Sequence, residues 1–136
     1  MITAIDAPPQ IRNAFLLLWV SVLIGALEIV YSTIFPDPEF AQLTRFVVLL
    51  PLSILAVYSL VVYRASRRSN RAKWILSIWV IAGTIANITT LWGEFAWPGD
   101  ISYLIGSVLD IAAIYLIFTS GGRAWYAAPH GDKGAF

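Results

Sequence analysis

The segment FLLLWVSVLIGALEIVYSTIF, residues Phe15–Phe35, decides the fold class. It contains one charged side chain, Glu28, in an otherwise apolar or weakly polar run. As an α-helix, a run of this length extends ~30 Å, which is the thickness of the hydrocarbon core of a bilayer. Similar runs recur three times, so hydrophobicity predicts four spans at residues 14–35, 45–63, 74–93 and 101–120. We therefore predict an all-α, integral membrane four-helix bundle.

The composition fits a chain surrounded by lipid. Of the 136 residues, 59% are hydrophobic and only 12% are charged, too few to cover the surface of a soluble domain of this size. The sequence predicts a single four-span domain over residues 1–126 and a flexible cytoplasmic tail over residues 127–136. The one histidine, His130, belongs to this tail and is expected to be solvated. There are no cysteines, which excludes disulfides and thiolate chemistry.

The basic residues predict the orientation of the spans. Eight of the nine Lys and Arg residues lie in the Arg64–Lys73 loop or near the two termini, and Arg45 is the exception. Basic residues are retained on the cytoplasmic side of membrane proteins. Both termini and this loop are therefore expected in the cytoplasm of a multi-pass protein of the bacterial inner (cytoplasmic) membrane, and the acidic turns at residues 36–39 and 94–100 are expected outside.

Polar residues follow one face of three predicted spans. Span 1 carries Ser21, Gly25, Glu28 and Ser32, a spacing that places them on one side of a helix. Span 3 and span 4 show similar stripes. We expect an intramembrane polar cluster with these members: Ser21, Glu28, Ser32, Asn87, Thr90, Ser107 and Asp110.

The role of the two acidic residues in this cluster has three interpretations. Ionisable groups at membrane depth are costly and usually face a bundle interior or a wet cavity. Glu28 and Asp110 could form interhelical hydrogen bonds, couple to protons or cations, or provide an interface for a partner helix. Arg45 is a possible counter-ion for one of them, because it could reach inward from the start of span 2. Pro51 could bend span 2 and open a small outward-facing cavity.

The loop between spans 2 and 3 is strongly basic. Possible contacts to lipid headgroups involve five residues, Arg64, Arg67, Arg68, Arg71 and Lys73, although such loops often only set the topology. Nucleic-acid binding is not expected, because the basic stretch is short and held at the membrane. At the end of span 4, Gly121-Gly122 is interpreted as a helix stop before Arg123.

Two stretches carry a family resemblance: Arg71-Ala72-Lys73-Trp74, and the segment FTSGGRAWY at residues 118–126. Together they resemble a loose group of small four-span bacterial inner-membrane proteins, whose last helix ends on an Arg-Ala-Trp-aromatic signature. The resemblance implies the topology and a bacterial source, and it implies no activity.

No nucleotide-binding loop, nucleophile elbow or zinc-protease motif occurs in the sequence. We therefore expect no catalytic residues, no metal and no cofactor. The expected function is that of a non-enzymatic binding or accessory protein, acting as a homo-oligomer or with a membrane-protein partner. The alternatives are a small proton- or cation-coupled transporter that uses Glu28 and Asp110, and an immunity-type protein against a pore-forming toxin.

Overall fold

A computed structural model describes residues 7–36, 38, 44–92 and 99–128. They form five helices: α1 (Pro9–Ile34), α2 (Thr44–Ser66), α3 (Asn70–Leu91), α4 (Gly99–Ile117) and α5 (Ser120–Ala127). No strand occurs in these ranges, so the prediction of an all-α chain is confirmed for them. The acidic turns lie largely outside the described residues, as does the tail from residue 129.

Several helices have the length and composition of membrane spans. Three qualify individually, at Pro9–Ile34, Val48–Ser66 and Asn70–Thr89. A fourth qualifies if Ile101–Ile117 and Ser120–Ala127 count as one span bent by 64°. Large apolar side chains cover their outer faces, and Phe46 and Tyr115 are 75% and 73% exposed. Because a soluble monomer rarely exposes so much contiguous apolar surface, these helices indicate a membrane protein.

The helices are longer than the apolar runs at the end that carries most of the basic residues. Helix α1 begins at Pro9, and it includes the polar residues Gln10, Arg12 and Asn13 before the apolar run. Proline is favoured in the first turn because its missing N–H has no intrahelical partner there anyway. Helix α3 likewise begins at Asn70, ahead of the predicted span. Hydropathy therefore locates the apolar part of each helix and misses its polar extension.

The four long helices form a ring in which each helix contacts the next, in the order α1, α2, α3 and α4. Helix α1 packs most extensively against α4 and also contacts α2, while α3 contacts both α2 and α4. We call the end formed by the start of α1, the end of α2, the start of α3 and the end of α4 the basic end. The fully buried large side chains concentrate there, from all four helices: Ile11, Leu18, Val62, Leu76 and Ile117. The tightly packed core therefore occupies the basic end.

Helix α5 corrects the interpretation of Gly121-Gly122 as a helix stop. Helix α4 ends at Ile117, and both glycines belong to the first turn of α5. A Cβ atom at position 122 would collide with the carbonyl oxygen of Ile117. Glycine is required here because the backbone of α5 lies directly against the last turn of α4. The glycines thus permit the bend between two helices instead of ending the helical structure.

Helix α5 is held against the loop between α2 and α3. The Arg68 guanidinium donates from Nη2 to the carbonyl oxygens of Trp125, at 2.7 Å, and Ala128, at 2.8 Å. The Tyr126 hydroxyl donates to the carbonyl oxygen of Ala65 at 2.7 Å. Arg68 has a φ of 64°, a left-handed conformation that is uncommon for a residue with a side chain. In this conformation Arg68 donates hydrogen bonds to carbonyl oxygens at the C-terminal end of α5, which have no partner within their own helix.

Candidate functional site

A cavity of about 430 Å³ lies among the four long helices, beyond the core of the basic end. Each of α1, α2, α3 and α4 contributes to its wall. Its surface is mainly apolar, with a limited set of polar side chains: Ser21, Glu28, Tyr58, Thr84, Asn87, Ser102, Tyr103, Ser107 and Asp110. This volume and this mixture of apolar wall and few polar groups are typical of small-molecule binding sites.

Helical periodicity brings the polar groups of α1 into the cavity. Ser21, Gly25 and Glu28 are separated by four and three residues, and all three line the wall. Side chains at this spacing share one face of a helix. That face is the one that α1 turns towards the other helices, and Leu16, Leu23 and Leu27 are exposed on the outside. Beside the cavity, the inner face of α1 therefore carries small and polar residues, whereas its outer face is apolar.

Asp110 lies in a confined polar environment on α4. Its carboxyl is close enough to the hydroxyls of Ser21 and Tyr58 to interact with them electrostatically. Among the described residues, its Oδ1 atom is buried and has no partner at hydrogen-bonding geometry, and the same is true of the Tyr58 hydroxyl. Buried polar atoms in proteins almost always have a hydrogen-bond partner. The Asp110 carboxyl and the Tyr58 hydroxyl are therefore neighbours in the wall, and neither Oδ1 nor the hydroxyl makes a well-aligned hydrogen bond with any other described residue.

Asn87 and Ser107 connect two walls of the cavity. The Asn87 side-chain amide donates from Nδ2 to the Ser107 hydroxyl oxygen at 2.8 Å. This hydrogen bond joins α3 to α4 at an apolar depth, where few alternative partners exist. Both residues are lining residues, so the hydrogen bond ties two walls of the cavity together.

The structure brings five of the seven predicted cluster residues to this cavity, and they come from three helices: Ser21, Glu28, Asn87, Ser107 and Asp110. Ser32 does not line it, and its hydroxyl donates to the Ile29 carbonyl oxygen at 3.0 Å. The side chain of Thr90 lies outside the described part of the chain. Arg45 is exposed near the start of α2 and is not a lining residue, so the structure does not place it beside either carboxyl.

Three aromatic residues of the wall were not expected at the site, namely Tyr58, Trp79 and Tyr103. Tyr58 from α2 and Trp79 from α3 line the cavity, with ring centroids 6.0 Å apart and ring planes inclined by 41°. Pro51 from α2 also lines it. The sequence offers no signal that selects these rings, because the helices contain many aromatic residues and many of them are exposed on the outer surface.

The basic stretch Arg64–Lys73, expected as one loop, consists of the end of α2, a loop at residues 67–69 and the start of α3. It contains both buried and exposed cations. Arg68 and Lys73 are only 6% and 7% exposed. The Lys73 ammonium lies 4.8 Å from the centroid of the Tyr126 ring and 5.1 Å from that of Phe118, distances that allow cation–π attraction. Arg64 and Arg71 are exposed, and Arg67 is half-buried, with Nη1 donating to the Tyr63 hydroxyl at 2.8 Å. Arg68 in the loop and Lys73 in the first turn of α3 therefore hold the basic end together through their contacts with α5 and Phe118. Contacts of this basic stretch with lipid headgroups stay a prediction.

The described residues contain no group of three histidine, cysteine or acidic side chains that could hold a metal ion. The chemistry available in the cavity is hydrogen bonding, charge pairing by two carboxyls and contact with aromatic rings.

No protein-family model matches the chain, and neither a curated protein nor a solved structure shows significant similarity to it.

Proposed function

We propose that the protein is a multi-pass inner-membrane protein that binds a small ligand in the cavity among its helices and catalyses no reaction. The observation that carries this proposal is the cavity itself, about 430 Å³ in volume and lined from four helices. Polar groups at membrane depth are costly, so a wall that collects several of them calls for a functional explanation.

The proposed membrane arrangement is a four-helix bundle with the basic end in the cytoplasm. The exposed apolar side chains on all four long helices support a lipid surrounding. The arginines at the basic end support its cytoplasmic location, because basic residues are retained on that side. Since the packed core occupies the basic end, the cavity lies nearer to the outer surface. A second copy or a membrane partner is proposed to cover part of the apolar surface.

Binding of one-ring compounds tests the ligand-binding role. We expect protein in lipid nanodiscs to show saturation-transfer NMR signals with at least one of 2-phenylethylamine, 2-phenylethanol and phenylacetate. Ser107→Leu places a larger side chain in the wall and should abolish the signal. Ser53→Leu is the matched control, because Ser53 is exposed on α2 and is not a lining residue. Signals that persist unchanged in Ser107→Leu, or no signal with any of the three compounds, would refute the proposal.

A proton- or cation-coupled transporter is the second candidate function. It is favoured by one observation, that Glu28 from α1 and Asp110 from α4 line the same cavity. Carboxyls that face a shared intramembrane cavity are a common device for moving protons or ions. The binding role is preferred because four short helices hardly enclose both a site and a translocation path.

Glu28→Gln and Asp110→Asn distinguish coupling from binding alone. Both changes preserve side-chain size, so the folded protein should survive either of them. If the protein transports, vesicles with a proton gradient should show 2-phenylethylamine uptake that both variants abolish while the thermal midpoint stays within a few degrees. If it only binds, the wild-type vesicles should show no uptake above that of empty vesicles. Uptake that is equal in the wild type and both variants would rule out these carboxyls as the coupling groups.

A further inference from the structure

We infer that the cavity binds an organic ammonium ion, a primary amine carried on a flat apolar body. This inference rests on the proposed ligand-binding function and specifies the chemical class of the ligand. Three properties of the wall support it: its charge, its unused hydrogen-bonding groups and its aromatic surface.

The charge of the wall favours a cation. Glu28 and Asp110 enter the cavity from two different helices, and no lysine, arginine or histidine is among the described residues that line it. Carboxylates in a low-dielectric site are stabilised by an opposite charge at close range, which a bound cation supplies. An anionic ligand would find no positively charged side chain in the described wall to pair with.

The unused hydrogen-bonding groups favour a cation with N–H bonds. In the described structure the Oδ1 atom of Asp110 and the Tyr58 hydroxyl are both buried without a hydrogen-bond partner, and Tyr58 is only 7% exposed. An ammonium group has three donors and no acceptor, so it can donate both to a carboxylate and to a hydroxyl oxygen. Hydrogen bonds in which the donor or the acceptor is charged are the strong ones. A quaternary ammonium has no N–H bond and could donate to neither atom.

The aromatic wall favours a flat apolar body on the amine. The rings of Tyr58 and Trp79 lie side by side, with centroids 6.0 Å apart, and both line the cavity. Aromatic faces attract a nearby cation and also pack against flat apolar groups. The ammonium can therefore lie near Asp110 while the body of the ligand contacts these rings.

The size of the cavity and its ligand set argue against a metal ion. A volume of about 430 Å³ greatly exceeds that of a single dehydrated ion. The described residues also provide no group of three histidine, cysteine or acidic side chains for coordination. Divalent cations in proteins need several oxygen ligands arranged around one point. An organic cation uses both the two carboxyls and the larger apolar wall.

Calorimetry on the full chain in nanodiscs tests the inference with three isosteric probes. 2-Phenylethylamine is a cation at neutral pH, 2-phenylethanol is its neutral analogue, and phenylacetate is an anion of similar shape. We expect the amine to bind at least ~10-fold more tightly than the alcohol, which corresponds to 1.4 kcal/mol. We expect no detectable binding of phenylacetate.

Two variants locate the effect at the proposed groups. Asp110→Asn should weaken amine binding by about tenfold or more and leave alcohol binding nearly unchanged, because it removes the charge and keeps the shape. Tyr58→Phe should weaken amine binding by a smaller factor. Tyr63→Phe is its matched control on the same helix, since Tyr63 is not a lining residue, and it should bind the amine like the wild type.

Equal affinity for the amine and the alcohol would overturn the inference and leave the ligand-binding function intact. Preferred binding of phenylacetate would do the same. No binding of any probe would refute both. The comparison of probes on the wild-type chain needs no substitution, so a variant that fails to fold does not weaken the test.

Discussion

Replacing Arg68 with methionine is expected to lower the free energy of unfolding by about 3 kcal/mol, because two hydrogen bonds to a charged group are lost from a buried site. These bonds join the Arg68 guanidinium to the carbonyl oxygens of Trp125 and Ala128. Methionine preserves much of the apolar contact of the side chain but leaves both carbonyls without this donor. We therefore expect α5 to separate from the loop between α2 and α3.

The measurement is denaturant unfolding in mixed micelles, together with amide hydrogen exchange over residues 120–128. Exchange in α5 should accelerate strongly in Arg68→Met while the centre of α1 remains protected. Arg67→Met is the control, because Arg67 donates only to the exposed Tyr63 hydroxyl, and a change below ~1 kcal/mol is expected for it. Equal losses in the two variants would show that Arg68 does not hold α5 in place.

Much of the helical pattern is readable from the sequence. Each predicted span corresponds to a helix, and the largest differences lie at the basic end, where α1 begins at Pro9 and α3 at Asn70. The first turn of α1 is favoured by Pro9, and Lys73 in the first turn of α3 contacts the Tyr126 ring of α5. Neither effect contributes to hydropathy. Helix α5 is missed for a related reason. It is eight residues long, its glycines suggest a helix stop, and the loop residues that hold it are about 60 positions away.

The sequence predicts part of the candidate binding site. The spacing of Ser21, Gly25 and Glu28 predicts a shared helical face, and the structure places all three in one wall. The same reasoning fails for Ser32, whose hydroxyl turns back to the backbone of its own helix. Tyr58 and Trp79 could not be selected, because which aromatic residues face inwards depends on the rotation of α2 and α3 about their axes. That rotation is set by long-range packing, which no local pattern specifies.

We propose that water reaches the cavity among the helices from the outer side of the membrane. Thr84 and Ile85 are neighbours on α3 at the same depth, and only Thr84 lines the cavity, whereas Ile85 is 58% exposed on the apolar face. Because the chain contains no cysteine, single cysteines can be introduced without removing any other thiol. Thr84→Cys and Ile85→Cys therefore form a matched pair that differs only in the face of the helix.

The most direct test is the rate at which a membrane-impermeant maleimide, added outside intact cells, labels these cysteines. We expect Thr84→Cys to react at least ~10-fold faster than Ile85→Cys, because thiolate formation requires water. Arg71→Cys at the basic end should react only after the cells are permeabilised. Equal rates at positions 84 and 85 would contradict a cavity, and labelling of Arg71→Cys in intact cells would contradict the orientation.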